Sequence, residues 1–253
     1  MLYVDEACRS FLCRIALTVV LIRAGIGVDL DAVKKTKSLI CRLGVVPPIV
    51  EGVVIFALGT LILPMDLKMQ LLFAIILAPT SPAVVIPTML GFMKKGYGTL
   101  TGTSSAIIAS STIDNIICIV AYNVLVSVVF SSVLLRYEFS IQFTAAVLGV
   151  IIGIFGGFIF RIHPHIGSNN LHIVRAILLF SVCAALNFVS LAIEMSTMGV
   201  IATVLMSFTA SNGWKKTMES KFYHEAEIFT FIWDYFAVQM LFSLIGFQFQ
   251  LNQ

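Results

Sequence analysis

Apolar residues fill long, nearly uninterrupted runs along this chain, and the polar residues gather between the runs instead of alternating within them. Eight such segments lie at approximately 11–27, 41–62, 69–90, 101–130, 140–160, 172–192, 196–211 and 228–249. Apolar runs of about 18 or more residues are long enough to cross a bilayer. They predict helices, because lipid offers backbone N–H and C=O groups no partners and strands this apolar would need a closed barrel. The fourth segment exceeds one crossing and is expected to tilt, or to emerge at its Ser/Thr-rich start. The seventh is the shortest. The pattern reads as an all-α, polytopic membrane protein of about eight transmembrane segments.

Charge then orients the segments. The odd-numbered connections hold Lys34, Lys35, Lys37, Lys94, Lys95, Arg161, Lys215, Lys216 and Lys221. The even-numbered ones hold only Lys68 and Arg136, beside Asp66, Glu138 and Glu194. The positive-inside rule places the odd connections in the cytoplasm and the N-terminus outside. Composition agrees with the membrane reading: of 253 residues 59% are hydrophobic and 11% charged, with a mean hydropathy of +1.01. A soluble domain could not cover itself with so few charges. The net charge of +3 lies in short basic clusters between apolar runs, which is topology information and not a nucleic-acid footprint. Five cysteines without CxxC spacing indicate neither a disulfide framework nor a zinc site. The opening "MLYVDEACRS" lacks the regions of a signal peptide. An outside start without a leader raises the expectation that the chain's natural beginning lies further upstream.

Several polar residues sit where lipid-facing sequence would exclude them. Asp114, followed by Asn115, lies inside the fourth segment, and a carboxylate near mid-membrane is costly enough to be a functional candidate by default. The structural alternative is an aspartate protonated or hydrogen-bonded to Ser110 and Ser111, one turn earlier. A functional carboxyl so buried can exchange H+ for a small hard cation held by oxygen ligands. In "LAPTSPAVVIPTML" (77–90), Pro79, Pro82 and Pro87 each remove an amide donor and free a carbonyl a turn earlier. Three so close predict a broken helix, the device with which secondary transporters build ion sites, unwound around Pro79–Pro82 with the hydroxyls of Thr80 and Ser81 pointing at Asp114. A proline-kinked packing helix is the alternative. Glu51, in "VVPPIVEGVVIFALG", is either a cation-path residue or half of a buried ion pair, with the pairing favoured and no evident mate in the chain. Arg14, Arg23 and Asp234 lie near segment ends and are expected at the interface. Gly149, Gly153 and Gly157, four residues apart, allow close helix packing, within the chain or in a dimer. "GYGTLTG" lacks the βαβ context of a dinucleotide loop, and His163 and His165 alone are poor evidence for metal. No nucleophile–base motif stands out, so no enzyme is expected.

The stretches "FLCRIALTVVLIRAGIGVDLDAVKK", "PPIVEG", "SPAVVIPTML" and "STIDNIICIVAYN", in that order, resemble the monovalent cation–proton antiporters, in particular their sodium/hydrogen exchanger 9B-like branch. The resemblance is strong over 8–130 and continues to about 250, where "FIWDYFAVQMLFSLIG" is also similar. It implies an inverted-repeat fold in which a core domain with two crossing broken helices moves against a dimerisation domain. Residues 38–130 would form the first half of the ion-binding core, and 140–253 the linker and interface helices. By the same match the first broken helix surrounds Ser81–Pro82. Asp114 and Asn115 match the family's acidic pair, and Glu51 matches a glutamate paired with a base on a later helix.

Two departures qualify the match. The family's second acidic position carries the exchanging carboxylate, and here it is Asn115, whose amide can ligate through oxygen but cannot carry a proton. Early and late helices of the family are also absent, so the chain is expected to be part of a longer protein.

The reading is secondary transport exchanging Na+ or Li+ for H+, with Asp114, Asn115, Thr80 and Ser81 binding the ion or coupling the proton, and Glu51 and Pro82 structural. No cofactor, no metal beyond the transported cation and no nucleic acid are implied; a bilayer and a homodimer are. The alternatives are a transport-inactive or regulatory relative, because of Asn115, or another membrane carrier or channel.

Overall fold

A computed structural model describes residues 5–98, 101–130, 135–163, 170–217 and 224–246. They form α1 (Glu6–Gly27), α2 (Leu30–Ile62), α3 (Leu67–Leu77), α4 (Pro82–Lys94), α5 (Thr103–Phe130), α6 (Leu135–Ile162), α7 (Leu171–Ala192), α8 (Ser196–Thr217), α9 (His224–Ile232), a π-helical turn Trp233–Ala237, and α10 (Val238–Gly246). No strand occurs among the described residues. The helices follow the apolar segments in order, and the protein is an all-α, multi-pass membrane protein. Seven helical stretches among the described residues are long and apolar enough to span a membrane. Large apolar side chains such as Leu61 and Phe155 are well exposed, as lipid-facing residues should be.

Two helices depart from the expected boundaries. α2 starts eleven residues before the predicted 41, because the charged stretch from Leu30 continues helically into the apolar run. The chain bends there at Thr36, whose φ of −113° is non-helical and whose Oγ1 donates to the Ala32 carbonyl at 2.7 Å. Such back-bonding bends helices. α8, the short seventh segment, is a full 22 residues long but is not among the seven apolar spans. Its Thr197, Thr203, Ser207 and Ser211 are buried among protein instead of facing lipid.

The chain divides into two compact units, one comprising residues 27–150 and the other residues 1–26 with 151–253. In the first, α5 packs against α2, α3 and α4. Gly44 makes this possible: a Cβ there would lie 3.0 Å from Ile113 and 3.1 Å from the Ser110 carbonyl, so α2 meets α5 backbone to backbone.

In the second unit α1 is central, with Ala16, Thr18, Val19 and Ile22 fully buried. Asn187 of α7 ties three helices together, its Nδ2 lying 3.2 Å from Thr18 Oγ1, 2.9 Å from Thr203 Oγ1 and 3.0 Å from the Cys183 carbonyl. Gly153 and Gly157 of α6 face α8 of the same chain, where an added Cβ would stand 2.9 Å from the Ala202 carbonyl and 3.0 Å from that of Met206. Of their two readings, packing within the chain is the one observed.

Arg23 overturns its expected interfacial place. It is 3% exposed, its guanidinium 5.7 Å from the ring centroid of Trp233, and neither Nε nor Nη1 has a partner among the described residues. The Trp233 ring of the π turn lies against its guanidinium, and the buried side chain does not snorkel. Asp234 in that turn is exposed. Arg175 and Glu225, unremarked in the sequence, form a buried ion pair at 3.4 Å, with His172 Nδ1 2.9 Å from the same carboxylate oxygen and the Trp214 ring 5.0 Å from the guanidinium. His163 is exposed, and His165 lies outside the described residues, as do two positions of "GYGTLTG".

Candidate functional site

The third apolar segment is two helices. α3 ends at Leu77 and α4 begins at Pro82, leaving Ala78–Ser81 non-helical in the middle of an apolar run. Pro79 and Pro82 explain the gap, since neither can donate to a carbonyl one turn back. Pro82 instead takes the first position of α4, where a missing N–H costs nothing. The Ala78 N–H still closes on the Ala74 carbonyl at 3.0 Å, and the Ser81 carbonyl receives the N–H groups of Val84 and Val85 at 3.2 and 3.1 Å. Thr80 sits between these two ends with no helical partner for its N–H.

That N–H goes to Asp114. It donates to Oδ2 at 2.9 Å, and the Thr80 hydroxyl donates to the same oxygen. The other oxygen, Oδ1, receives the thiol of Cys118, one turn along α5, at 3.6 Å. Asp114 is 2% exposed. A carboxylate in this setting costs several kcal/mol, and charge-assisted hydrogen bonds return about 1.5–3 kcal/mol each. The amino end of α4, just beyond Thr80, adds a favourable dipole.

Asn115 faces the break by a different route. Its Nδ2 donates to the Thr80 carbonyl at 2.8 Å and to the Ser111 carbonyl at 2.7 Å. Two carbonyl acceptors fix the amide's orientation, because only the NH2 side can serve them. In both bonds the amide acts as a donor, through Nδ2. One backbone residue of the break, Thr80, is thus held through N–H and hydroxyl by Asp114 and through its carbonyl by Asn115.

The remaining candidates are placed unevenly. Ser81 is exposed at the cap of α4 with no side-chain cap bond, and no hydrogen bond joins it to Asp114. Glu51 is exposed on α2 and has no ion pair among the described residues. It neighbours the break nonetheless, since a Cβ on Gly52 would stand 3.8 Å from that of Ala78. The alternative in which Ser110 and Ser111 hold Asp114 is not what forms: Ser110 Oγ donates to the Ile107 carbonyl, and Ser111 Oγ is buried with no partner among the described residues. Sequence reasoning missed Cys118, although its spacing four residues after Asp114 on a helix could have found it. Among the described residues no three His, Cys, Asp or Glu side chains are grouped to hold a metal ion.

Comparison with known proteins gives a consistent result. The family described as sodium/hydrogen exchanger, transmembrane, matches residues 8–253. Sodium/hydrogen exchanger 9B1 of Homo sapiens is 30% identical over 244 residues, covering 96% of this chain and 46% of its own length. Sodium/hydrogen exchanger 9B2 of Mus musculus is 31% identical over 239 residues, covering 94% and 42%. The protein of that name from Homo sapiens is 31% identical over 237 residues, covering 94% and 43%. The chain therefore spans less than half the length of the curated relatives it matches.

Proposed function

This chain belongs to the sodium/hydrogen exchanger transmembrane family, and from that premise we propose that it works within a secondary transporter exchanging Na+ or Li+ for H+, with Asp114 taking cation and proton in turn. The observation that carries the reading is the hold of Thr80, a residue of a broken helix, on a buried carboxylate. Exchange needs one group stable both charged and neutral. The Thr80 hydroxyl can donate to the ionised carboxylate and accept from the protonated one, so it suits both forms. A monovalent cation at Asp114 would find further hard oxygens in the break and in the unpartnered Ser111 hydroxyl. Broken segments are also where alternating-access transporters place their ion sites. Residues 38–130 would then be the first half of the ion-binding core, with 140–253 supplying linker and interface helices and a homodimer as the assembly. Pro82 holds the break, Ser81 caps α4, and Glu51 stands beside it on α2.

A second reading is favoured by one observation. The Asn115 amide occupies the Thr80 carbonyl, and an amide cannot carry a proton, which suits a transport-inactive or regulatory relative.

Proteoliposomes holding the full-length protein and a trapped pH dye separate the two. An exchanger acidifies or alkalises its lumen when Na+ or Li+ is added, and Asp114→Asn abolishes the change. An unmodified protein without any response supports the inactive reading. Full activity in Asp114→Asn refutes Asp114 as the carrier.

A further inference from the structure

We propose that Asn115 is a latch that holds the broken segment closed on Asp114 and competes with the cation for the Thr80 carbonyl. A single nitrogen gathers two carbonyl oxygens at 2.8 and 2.7 Å, as a bound monovalent cation would gather them. The Ser111 carbonyl belongs to the same helix as Asn115, so that bond only fixes the side chain. The Thr80 carbonyl belongs to the break, 35 residues earlier, so that bond joins two elements. With Thr80 N–H and Oγ1 already bonded to Asp114, the latch engages the third polar group of Thr80, its carbonyl. A cation that approaches the Thr80 carbonyl from the side the amide occupies displaces it, and that is the competition proposed here. Asn115 is therefore a positioning residue, and the latch sets how readily the site opens. Only this competition rests on the reading of Asp114 as the exchange group; the latch itself does not.

The charged and titratable groups nearby are few. Asp114 and Cys118 lie on the same helix, Glu51 lies on α2 within electrostatic reach of Cys118, and residues 75–90 around the break contain none. The bond from Asn115 is consequently one between neutral dipoles, and its loss shifts no charge.

The test uses full-length protein in detergent micelles and two substitutions. Asn115→Ser keeps a hydroxyl able to back-bond the Ser111 carbonyl but too short to reach Thr80, which isolates the bond across the break. Asn115→Leu removes both bonds at similar volume. Hydrogen–deuterium exchange without alkali cations should rise about fivefold in peptides covering 80–90 for Asn115→Ser, as expected for one lost hydrogen bond, with α7 peptides unchanged. An unchanged rate over 80–90 in both variants overturns the latch. So does a rise that is no larger there than in α7. Thermal melting titrated with LiCl or NaCl against choline chloride reads the competition: half-saturation should fall about fivefold in Asn115→Ser. Ordinary structural damage would raise it, and a raised or unaltered value overturns the competition. If no variant responds to either cation while the exchange results hold, the latch stands and Asp114 as cation carrier fails.

Discussion

The bond between Thr80 and Asp114 can be weighed by a double-mutant cycle. Thr80→Val exchanges the hydroxyl for a methyl of nearly the same shape and leaves the N–H bond of 2.9 Å untouched. In the natural background Asp114 Oδ2 loses one of its two donors while staying buried at 2% exposure. Hydrogen bonds to charged groups contribute about 1.5–3 kcal/mol, so the substitution should cost that much. In an Asp114→Leu background the hydroxyl has no carboxylate to serve, and Thr80→Val should cost about 0.5 kcal/mol or less. The coupling, the difference between the two costs, is then about 1–3 kcal/mol. Unfolding of full-length protein by SDS in mixed micelles, followed by tryptophan fluorescence, gives all four stabilities. Equal costs in the two backgrounds would mean that the hydroxyl contributes nothing through Asp114, and the argument for an organised carboxylate at the break would collapse.

Three further outcomes are expected. A cysteine introduced at Lys95 of a cysteine-free full-length protein should resist an impermeant maleimide added to intact cells and react once they are opened, because the positive-inside rule puts the basic connections in the cytoplasm; labelling from outside sinks that topology. Asn187→Leu should destabilise by about 1–3 kcal/mol, since Thr18 and Thr203 lose a shared buried donor, and an SDS unfolding midpoint equal to that of the natural protein contradicts the hub. Gly157→Val should also lower that midpoint, by overpacking worth about 1–3 kcal/mol, because a Cβ there meets Thr209 at 2.5 Å; a variant that unfolds normally but no longer dimerises would instead place Gly157 between subunits.

Legibility differed between backbone and side chains. Runs of apolar residues and prolines act locally, so the helices and the gap before Pro82 could be read directly from the chain. The proline break also directs Thr80 and Ser81 toward Asp114 in the sequence reading, and Thr80 does bond it from 34 residues away, whereas Ser81 makes no hydrogen bond to it. Ser110 and Ser111 were the reasonable local candidates, yet a hydroxyl on a helix finds its own backbone first, as Ser110 does with Ile107. Arg23 misled for a related reason. Distance to a helix end suggests snorkelling, but whether the path to water is open depends on what covers it, here Trp233. Arg175 and Glu225 lie 50 residues apart, and nothing local in the chain marks them as the pair that packing makes of them.

α8 bears on how the protein is made. A nascent segment enters the bilayer alone only if its own transfer from the insertion machinery to lipid is downhill. α8 carries buried threonines and serines and ends in Asn212, Lys215 and Lys216, and it is not among the seven spans apolar enough by composition. Lipid would be a poor first solvent for it. α7 packs along α8 and precedes it by a turn of three residues, Ile193–Met195, closed by the Met195 N–H on the Ser190 carbonyl at 2.8 Å. The two helices are thus suited to leave the ribosome's exit path as one hairpin, α7 presenting its lipid face and Asn187 shielding the hydroxyls behind it. A long insertion in the turn Ile193–Met195 would part the two helices during synthesis and leave α8 to meet lipid alone.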